Sequence, residues 1–167
     1  VFSADFEEWC DCVAREHCAR MADDPNLIGY FYCDCPSWVH ARKSHLKGSW
    51  FDPGRLESEE GRRALSDLAQ QYYRVTHDAV RRYDPNHLIL GDRYEAQARL
   101  PDEILLAAKS YVDVLSFQFF SDADTIVPAF ADRHRLTGMP ILLADACVPG
   151  RDRGLVEQEC VYPSMLR

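Results

Sequence analysis

The strongest constraint on this chain is that helix-like and strand-like patterns alternate along its whole length. In the helix-like segments apolar residues recur every three or four positions, which is typical of helices with one buried face. The segments between them are short and almost uniformly apolar, which is typical of strands buried on both faces. The predicted order is helix 4–22, strand 27–33, helix 58–83, strand 87–91, helix 101–111, strand 112–120, helix 123–137, strand 140–146 and helix 155–162.

Strict alternation of this kind predicts an α/β fold of right-handed, parallel β/α units. The length of 167 residues fits a single domain or a fragment of a larger one. A doubly wound sheet and part of an eight-stranded barrel both fit the order of elements. The sequence contains neither GxGxxG nor GxxxxGK[ST], the glycine-rich motifs that bind phosphate in many doubly wound proteins. Four strands cannot close a barrel, which typically needs about 250 residues.

Composition excludes several functional classes. The hydrophobic fraction of 47% supports a packed core, and the net charge of −8 argues against a nucleic-acid partner. We expect no membrane span, because no apolar run approaches the ~18 residues that one requires. The seven cysteines are an odd number and lie mostly in periodic segments, so we expect mostly reduced, buried thiols. The sequence does not indicate a cellular compartment.

Four strand-like segments together resemble a known enzyme family. They read "DDPNLIGYF", "YDPNHLILGDRY", "VDVLSFQFF" and "MPILLADA". In this order they resemble the fourth to seventh strands of (β/α)8-barrel glycoside hydrolases, particularly the agarase-like and β-galactosidase-like retaining enzymes. In that family the fourth strand typically ends in an Asn-Glu pair, whose Glu is the acid/base, and the seventh ends in a nucleophilic Glu.

The resemblance implies a partial TIM barrel of about four strands with covering helices. The substrate would be a polysaccharide or oligosaccharide, and no cofactor is implied. A barrel segment exposes two sheet edges and part of an apolar interior. We therefore expect 1–167 to be either a homo-oligomer or a fragment that lacks the flanking barrel strands.

Active sites of such barrels lie at the carboxyl ends of the strands. The resemblance places Asp145 at the nucleophile position, Asp34 at the position of the Asn, and Cys35 at the position of the acid/base Glu. One hypothesis is that Asp34 is the acid and Asp145 the nucleophile or base, with the shorter side chains favouring an inverting geometry. Alternatively, both are strand-end carboxylates bonded to Arg93 or to loop amides, or the site binds sugar without cleaving it.

Further residues at the strand ends and in the long loop 36–54 are candidates for substrate binding. Aromatic rings suit the apolar faces of sugars, and an arginine suits a carboxylate or hydroxyl. The candidates are Cys35, Trp38, His40, Trp50, Arg93, Tyr94 and Gln118, with Asp92, Arg42 and His45 nearby.

The two Cys-x-Cys pairs raise two further possibilities, metal binding and thiol catalysis. Structural zinc usually requires cysteines on turns with two to four residues between them, and these pairs have one. Cys10 and Cys12 lie instead in a helix, and Cys33 and Cys35 at a strand end, so we expect no metal site. A nucleophilic Cys35 would need a base such as His40, and the sequence does not establish that contact.

Overall fold

The computed structural model describes residues 1–40 and 48–146 and contains a four-stranded parallel sheet. The strands are β1 (Gly29–Asp34), β2 (Leu88–Glu95), β3 (Leu115–Gln118) and β4 (Ile141–Asp145). Their order in the sheet, β1-β2-β3-β4, follows the chain, and each neighbouring pair is parallel. The predicted α/β fold of parallel units, forming part of a barrel, is confirmed.

Four helices alternate with these strands: α1 (Ala4–His17), α2 (Glu59–Tyr83), α3 (Asp102–Ala108) and α4 (Ala123–Thr137). The sequence specifies their ends through caps. Ser58 Oγ accepts a hydrogen bond from the amide of Gly61 at the start of α2, as Asp122 does from Thr125 at the start of α4. Gly138 ends α4 in the left-handed conformation, with φ of 72°.

Several elements are shorter than the sequence pattern predicts, and α1 and β3 differ most. The first helix ends at His17 instead of residue 22. In the segment that follows, backbone amides donate to carbonyls three residues earlier, as Met21 N does to Cys18 O and Asp24 N to Met21 O. The third strand begins at Leu115 instead of residue 112. Before it, the Asp113 carboxylate accepts hydrogen bonds from Ile89 N and Arg81. The helix predicted at 155–162 lies outside the described residues.

The hydrophobic core lies between the sheet and α2 and α3. Its central side chains are at most 2% exposed, and Trp38 from the loop after β1 joins them. The largest are Trp38, Tyr73, Tyr94, Phe117, Leu65, Ile89, Ile104, Leu105 and Leu115.

The two Asp-Pro-Asn turns lie together at the amino ends of β1 and β2. Each begins with an aspartate whose Oδ1 accepts the amide of the asparagine two residues later, at 2.9 Å. Asn86 also donates to Ala22 O, and His87 bonds through its Nε2 to Asp24 O. These contacts fix the start of β2 against the chain that enters β1.

Within the described residues no helix is long and apolar enough to cross a membrane. Cys10, Cys12 and Cys18 are free thiols; Cys10 and Cys18 are buried, and Cys12 is exposed.

Candidate functional site

Arg93 joins two carboxylates at the carboxyl end of the sheet. Its Nε and Nη2 donate to Asp34 Oδ1 at 2.9 and 2.7 Å, and its Nη1 donates to Asp145 Oδ2 at 2.9 Å. The side chain of Arg93 is 27% exposed, against 64% for that of Asp34 and 39% for that of Asp145. The structure therefore brings three of the predicted site residues into one solvent-accessible ion cluster. Asp34 and Asp145 are acceptors of the same cation.

Strand register places these residues side by side. Asp34 pairs with Arg93 across β1 and β2, and Asp145 pairs with Gln118 across β3 and β4. Both pairings follow a register shift, so a regular ladder would have aligned other residues. A cleft of about 240 Å³ opens beside the cluster, between Phe31 on β1 and Ala144 on β4.

Asp92 lies next to Arg93 in sequence and is fully buried. Tyr72 and Tyr73 on α2 donate their hydroxyl hydrogens to its two oxygens at 2.9 and 2.7 Å. The hydroxyl oxygens of Tyr73 and Tyr94 are 2.6 Å apart. Because Tyr73 donates to Asp92, Tyr94 donates to Tyr73. This chain of hydroxyls, the Asp92 cluster, fixes the end of β2 on α2.

Burial raises the pKa of Asp92 to about 6, although the two tyrosine hydroxyls lower it. The Trp38 indole N–H and the Cys33 amide also lower the pKa of Asp92. The indole N–H acts from nearby and makes no hydrogen bond of ordinary geometry to any described residue. Asp92 thus titrates in the physiological range while its neighbour Arg93 stays charged.

Cys35, the residue at the predicted acid/base position, is buried, and its backbone has a φ of 48°. It is the one non-glycine residue with positive φ among residues 1–40 and 48–146. Its amide donates to Arg93 O at 2.9 Å, which continues the β1–β2 pairing by one residue. The left-handed conformation is sparsely populated for such a residue and turns the chain out of the sheet.

The two loop tryptophans differ in accessibility. Trp38 is 1% exposed, and its ring packs against Tyr72, Tyr73 and Trp50 with centroid distances of 5.4, 5.9 and 5.0 Å. Trp50 is 45% exposed and covers one side of this cluster. In this arrangement part of Trp50 is accessible to solvent, and Trp38 packs against it from the core side.

The other candidates are placed as follows. Tyr94 is 2% exposed and belongs to the Asp92 cluster, and Gln118 is 7% exposed at the end of β3. His40 Nε2 lies 3.8 Å from Glu95 Oε2, and the buried ring nitrogens of His40 have no hydrogen-bond partner among the described residues. Arg42 and His45 lie outside the described residues. No group of three or more His, Cys, Asp or Glu side chains in 1–40 and 48–146 is arranged to hold a metal ion.

Sequence reasoning missed Tyr72 and Tyr73 as partners of Asp92. It assigned Tyr72 to the buried face of the second helix, but a hydroxyl's partner cannot be read from helical periodicity. The alternation of β2 gave a usable signal, because Asp92 and Tyr94 lie two apart and share a face, while Arg93 takes the other.

Solved structures of other proteins share this fold. Two of them are an agarase, AgWH50C (TM-score 0.65, 21% identity), and BpGH50 (TM-score 0.59, 20% identity). The match covers 87% and 85% of this chain, but only 26% and 37% of those chains. The chain has the fold of one segment of these proteins.

Sequence comparison gives a shorter match. Beta-agarase A of Vibrio sp. (strain JT0107) is 38% identical over 56 residues, which are 34% of this chain. The chain spans 6% of the length of that relative. No protein-family model matches the sequence.

Proposed function

We propose that this chain is a segment of an agarase-like glycoside hydrolase and that it contributes to a site acting on O-glycosidic bonds of a polysaccharide or oligosaccharide. The observation that carries the proposal is the Arg93 cluster, two carboxylates and a guanidinium at the carboxyl ends of the parallel strands. In barrel enzymes that end of the strands carries the chemistry. The fold shared with an agarase and the short match to Beta-agarase A support the substrate class.

In the proposed reaction Asp145 acts as nucleophile or base, and Asp34 as the acid. Hydrolysis of a glycosidic bond needs one protonated and one ionised carboxyl group on opposite sides of that bond. Arg93 donates hydrogen bonds to both carboxylates. The acid role of Asp34 therefore requires Arg93 to release Asp34 when the sugar binds, while it remains on Asp145.

The surrounding residues would position the sugar. Trp50 offers an exposed ring for stacking on a sugar face, and Gln118 and His40 supply polar groups beside Asp145 and Glu95. Trp38 and Tyr94 are buried, so we propose that they support the binding surface from beneath. Cys35 is the first residue of the loop that leads from β1 to Trp38.

A second candidate is saccharide binding without cleavage. It is favoured by the engagement of both carboxylates with one guanidinium, which leaves neither poised as a proton donor. Cys35 at the position expected for the acid/base Glu points the same way, because a buried thiol is a poor acid in place of a carboxyl group.

Hydrolysis of agarose and of a panel of chromogenic glycosides would test the proposal. The chain is compared with Asp34→Asn, Asp145→Asn and the control Asp102→Asn, which alters an exposed carboxylate paired with Arg133 on α4. We expect hydrolysis that both site variants lose and the control retains. Hydrolysis unaffected by either site variant would show that the assignment is wrong. Binding by the chain with no products would favour the second candidate.

A further inference from the structure

Glu95 is a third carboxylate at the carboxyl end of the sheet, and the reaction proposed above gives it no role. It ends β2 two residues after Arg93, so the two side chains lie on the same face of the sheet. Arg93 contacts Asp34 and Asp145 on that face. The side chain of Glu95 is 33% exposed, close to the 27% of Arg93. Glu95 therefore belongs to the surface on which the sugar is proposed to bind.

Strand register sets Glu95 and Asp145 on either side of Gln118. Glu95 pairs with Gln118 across β2 and β3, and Gln118 pairs with Asp145 across β3 and β4. The outer members of this row are two strand spacings apart, about 9.6 Å between backbones. Inverting hydrolysis uses carboxyl groups about 6.5–9.5 Å apart, and retaining hydrolysis uses groups about 5–5.5 Å apart. The row therefore has the spacing of an inverting pair, with Gln118 between its members.

Bonding to Arg93 distinguishes the carboxylates of this surface. Arg93 donates through Nε and Nη2 to Asp34 and through Nη1 to Asp145. Asp34 could act as a proton donor only after it leaves Arg93. Glu95 lies instead beside His40, with 3.8 Å between Glu95 Oε2 and His40 Nε2. Glu95 can therefore pass a proton to a ligand without any change in the hydrogen bonds of Arg93.

His40 gives a second indication that a ligand binds beside Glu95. Both ring nitrogens of His40 are buried, and neither has a hydrogen-bond partner among the described residues. Buried polar atoms without a partner are uncommon in folded proteins, and a bound water or ligand usually satisfies them. A sugar hydroxyl bound next to Glu95 would supply that partner.

We propose that Glu95 is the general acid of an inverting glycoside hydrolysis in which Asp145 is the base. The Glu95 carboxyl group donates its proton to the glycosidic oxygen as the bond from that oxygen to the anomeric carbon breaks. A water attacks this carbon from the opposite side and passes a proton to Asp145, and exchange with solvent then restores both carboxyl groups. The assignment rests on the proposed hydrolase function. Within it Glu95 takes the acid role, and Asp34 positions Arg93.

Two substrates with different leaving groups test the assignment. One is an agarose oligosaccharide, whose alcohol leaving group needs a proton, and the other is a dinitrophenyl glycoside of the same oligosaccharide, whose leaving group needs none. Glu95→Gln should lower kcat/KM about 10²–10⁴-fold for the first substrate and less than about tenfold for the second. It should also remove the alkaline limb of the pH–rate profile, because that limb reports loss of the proton from the acid. Asp145→Asn should lose activity on both substrates.

Three further variants separate proton donation from positioning and from folding. Asp34→Asn should slow both substrates to the same degree, because it disturbs Arg93 and leaves the proton donor in place. Glu103→Gln removes a partly exposed carboxylate that pairs with Arg62, and this matched control should retain both activities. Glu95→Asp keeps a carboxyl group and should recover part of the oligosaccharide activity that Glu95→Gln loses. Urea unfolding midpoints show whether each variant folds.

Several results would overturn the assignment and leave the hydrolase function standing. One is a Glu95→Gln variant with unchanged rates, and another is an equal loss on both substrates, which would indicate a binding or structural role. A loss in Asp34→Asn that is confined to the oligosaccharide would identify Asp34 as the acid. Products that retain the anomeric configuration, measured by NMR, would exclude the inverting pair. In contrast, absence of hydrolysis by the unaltered chain on either substrate would overturn the hydrolase function and the assignment together.

Discussion

Arg93 Nη1 lies 2.9 Å from Asp145 Oδ2, although their strands, β2 and β4, are separated by β3. In a flat sheet, strands two places apart are about 9.6 Å from each other. The long arginine side chain, the hydrogen bond and the aspartate side chain together span this distance across β3. Through this reach Arg93 joins the ends of β1, β2 and β4 in one cluster.

Replacing Arg93 by methionine should destabilise the chain by about 1 kcal/mol at low salt, because two neighbouring carboxylates lose their shared cation. The groups are partly exposed, so the loss should shrink in 1 M salt. Urea unfolding at both salt concentrations measures this. The control is Arg63→Met, which removes an exposed pair with Glu59 on one helix and should have a smaller effect. Equal losses in the two variants would mean that the bridge to Asp145 contributes nothing.

The sequence predicts the fold better than the site because the two depend on different signals. Helix ends follow local chemistry, so Ser58 and Gly138 mark α2 and α4 correctly. The strand-end prediction grouped Asp92 with Arg93, whereas the structure buries Asp92 against α2. That separation depends on strand alternation combined with register shifts at β1–β2, which arise from contacts between distant segments.

The Asp92 cluster should respond strongly to loss of a hydroxyl. Tyr73→Phe removes the hydrogen bond to Asp92 and leaves the Tyr94 hydroxyl without its acceptor, in a fully buried site. We expect a loss of about 1–3 kcal/mol in the free energy of unfolding. Tyr83→Phe is the matched control, since Tyr83 bonds to Asp11 in a more exposed position and should cost less.

Asp92 should also make stability depend on pH. Its folded-state pKa of about 6 exceeds the unfolded value near 3.9, so the folded chain binds the extra proton. Stability from this group is therefore lost as pH rises from about 4 through 6. Asp92→Asn removes that loss, and the stability of wild type relative to the variant should fall by roughly 3 kcal/mol over this range. Chemical denaturation at pH 4, 5, 6 and 7 measures it, and parallel curves would contradict the assignment.

Asp84 and His87 should give a pH dependence of their own at the amino end of the sheet. Burial acts to raise the pKa of Asp84, but hydrogen bonds from Tyr30, His87 and backbone amides lower it to about 2. The hydrogen bond with Asp84 raises the pKa of His87. The Asp84 contribution is therefore lost as pH falls from about 4 towards 2. The His87 contribution is complete below about pH 6.5 and is lost as pH rises through the folded value.

The Asp84→Asn variant tests both signs. The advantage of wild type over the variant should be greatest between about pH 4 and 6.5 and should decline on either side. Urea unfolding of the two chains from pH 3 to 8 gives this difference directly. Asp102→Asn, which removes an exposed carboxylate paired with Arg133, serves as the control for loss of a surface charge. A difference that stays constant as pH rises above 7 would show that His87 is not coupled to Asp84.

Gly29 should tolerate no side chain, because β1 and β2 approach each other closely at this point. A Cβ built on Gly29 would lie 2.2 Å from Leu88 O, a backbone atom that can move only if the strands separate. We expect Gly29→Ala to cost about 1–3 kcal/mol in the free energy of unfolding. Among the described residues, none lies within 4 Å of a Cβ added at Gly48, so Gly48→Ala should change stability by less than about 0.5 kcal/mol. Similar unfolding midpoints for the two variants would contradict the close approach of β1 to β2.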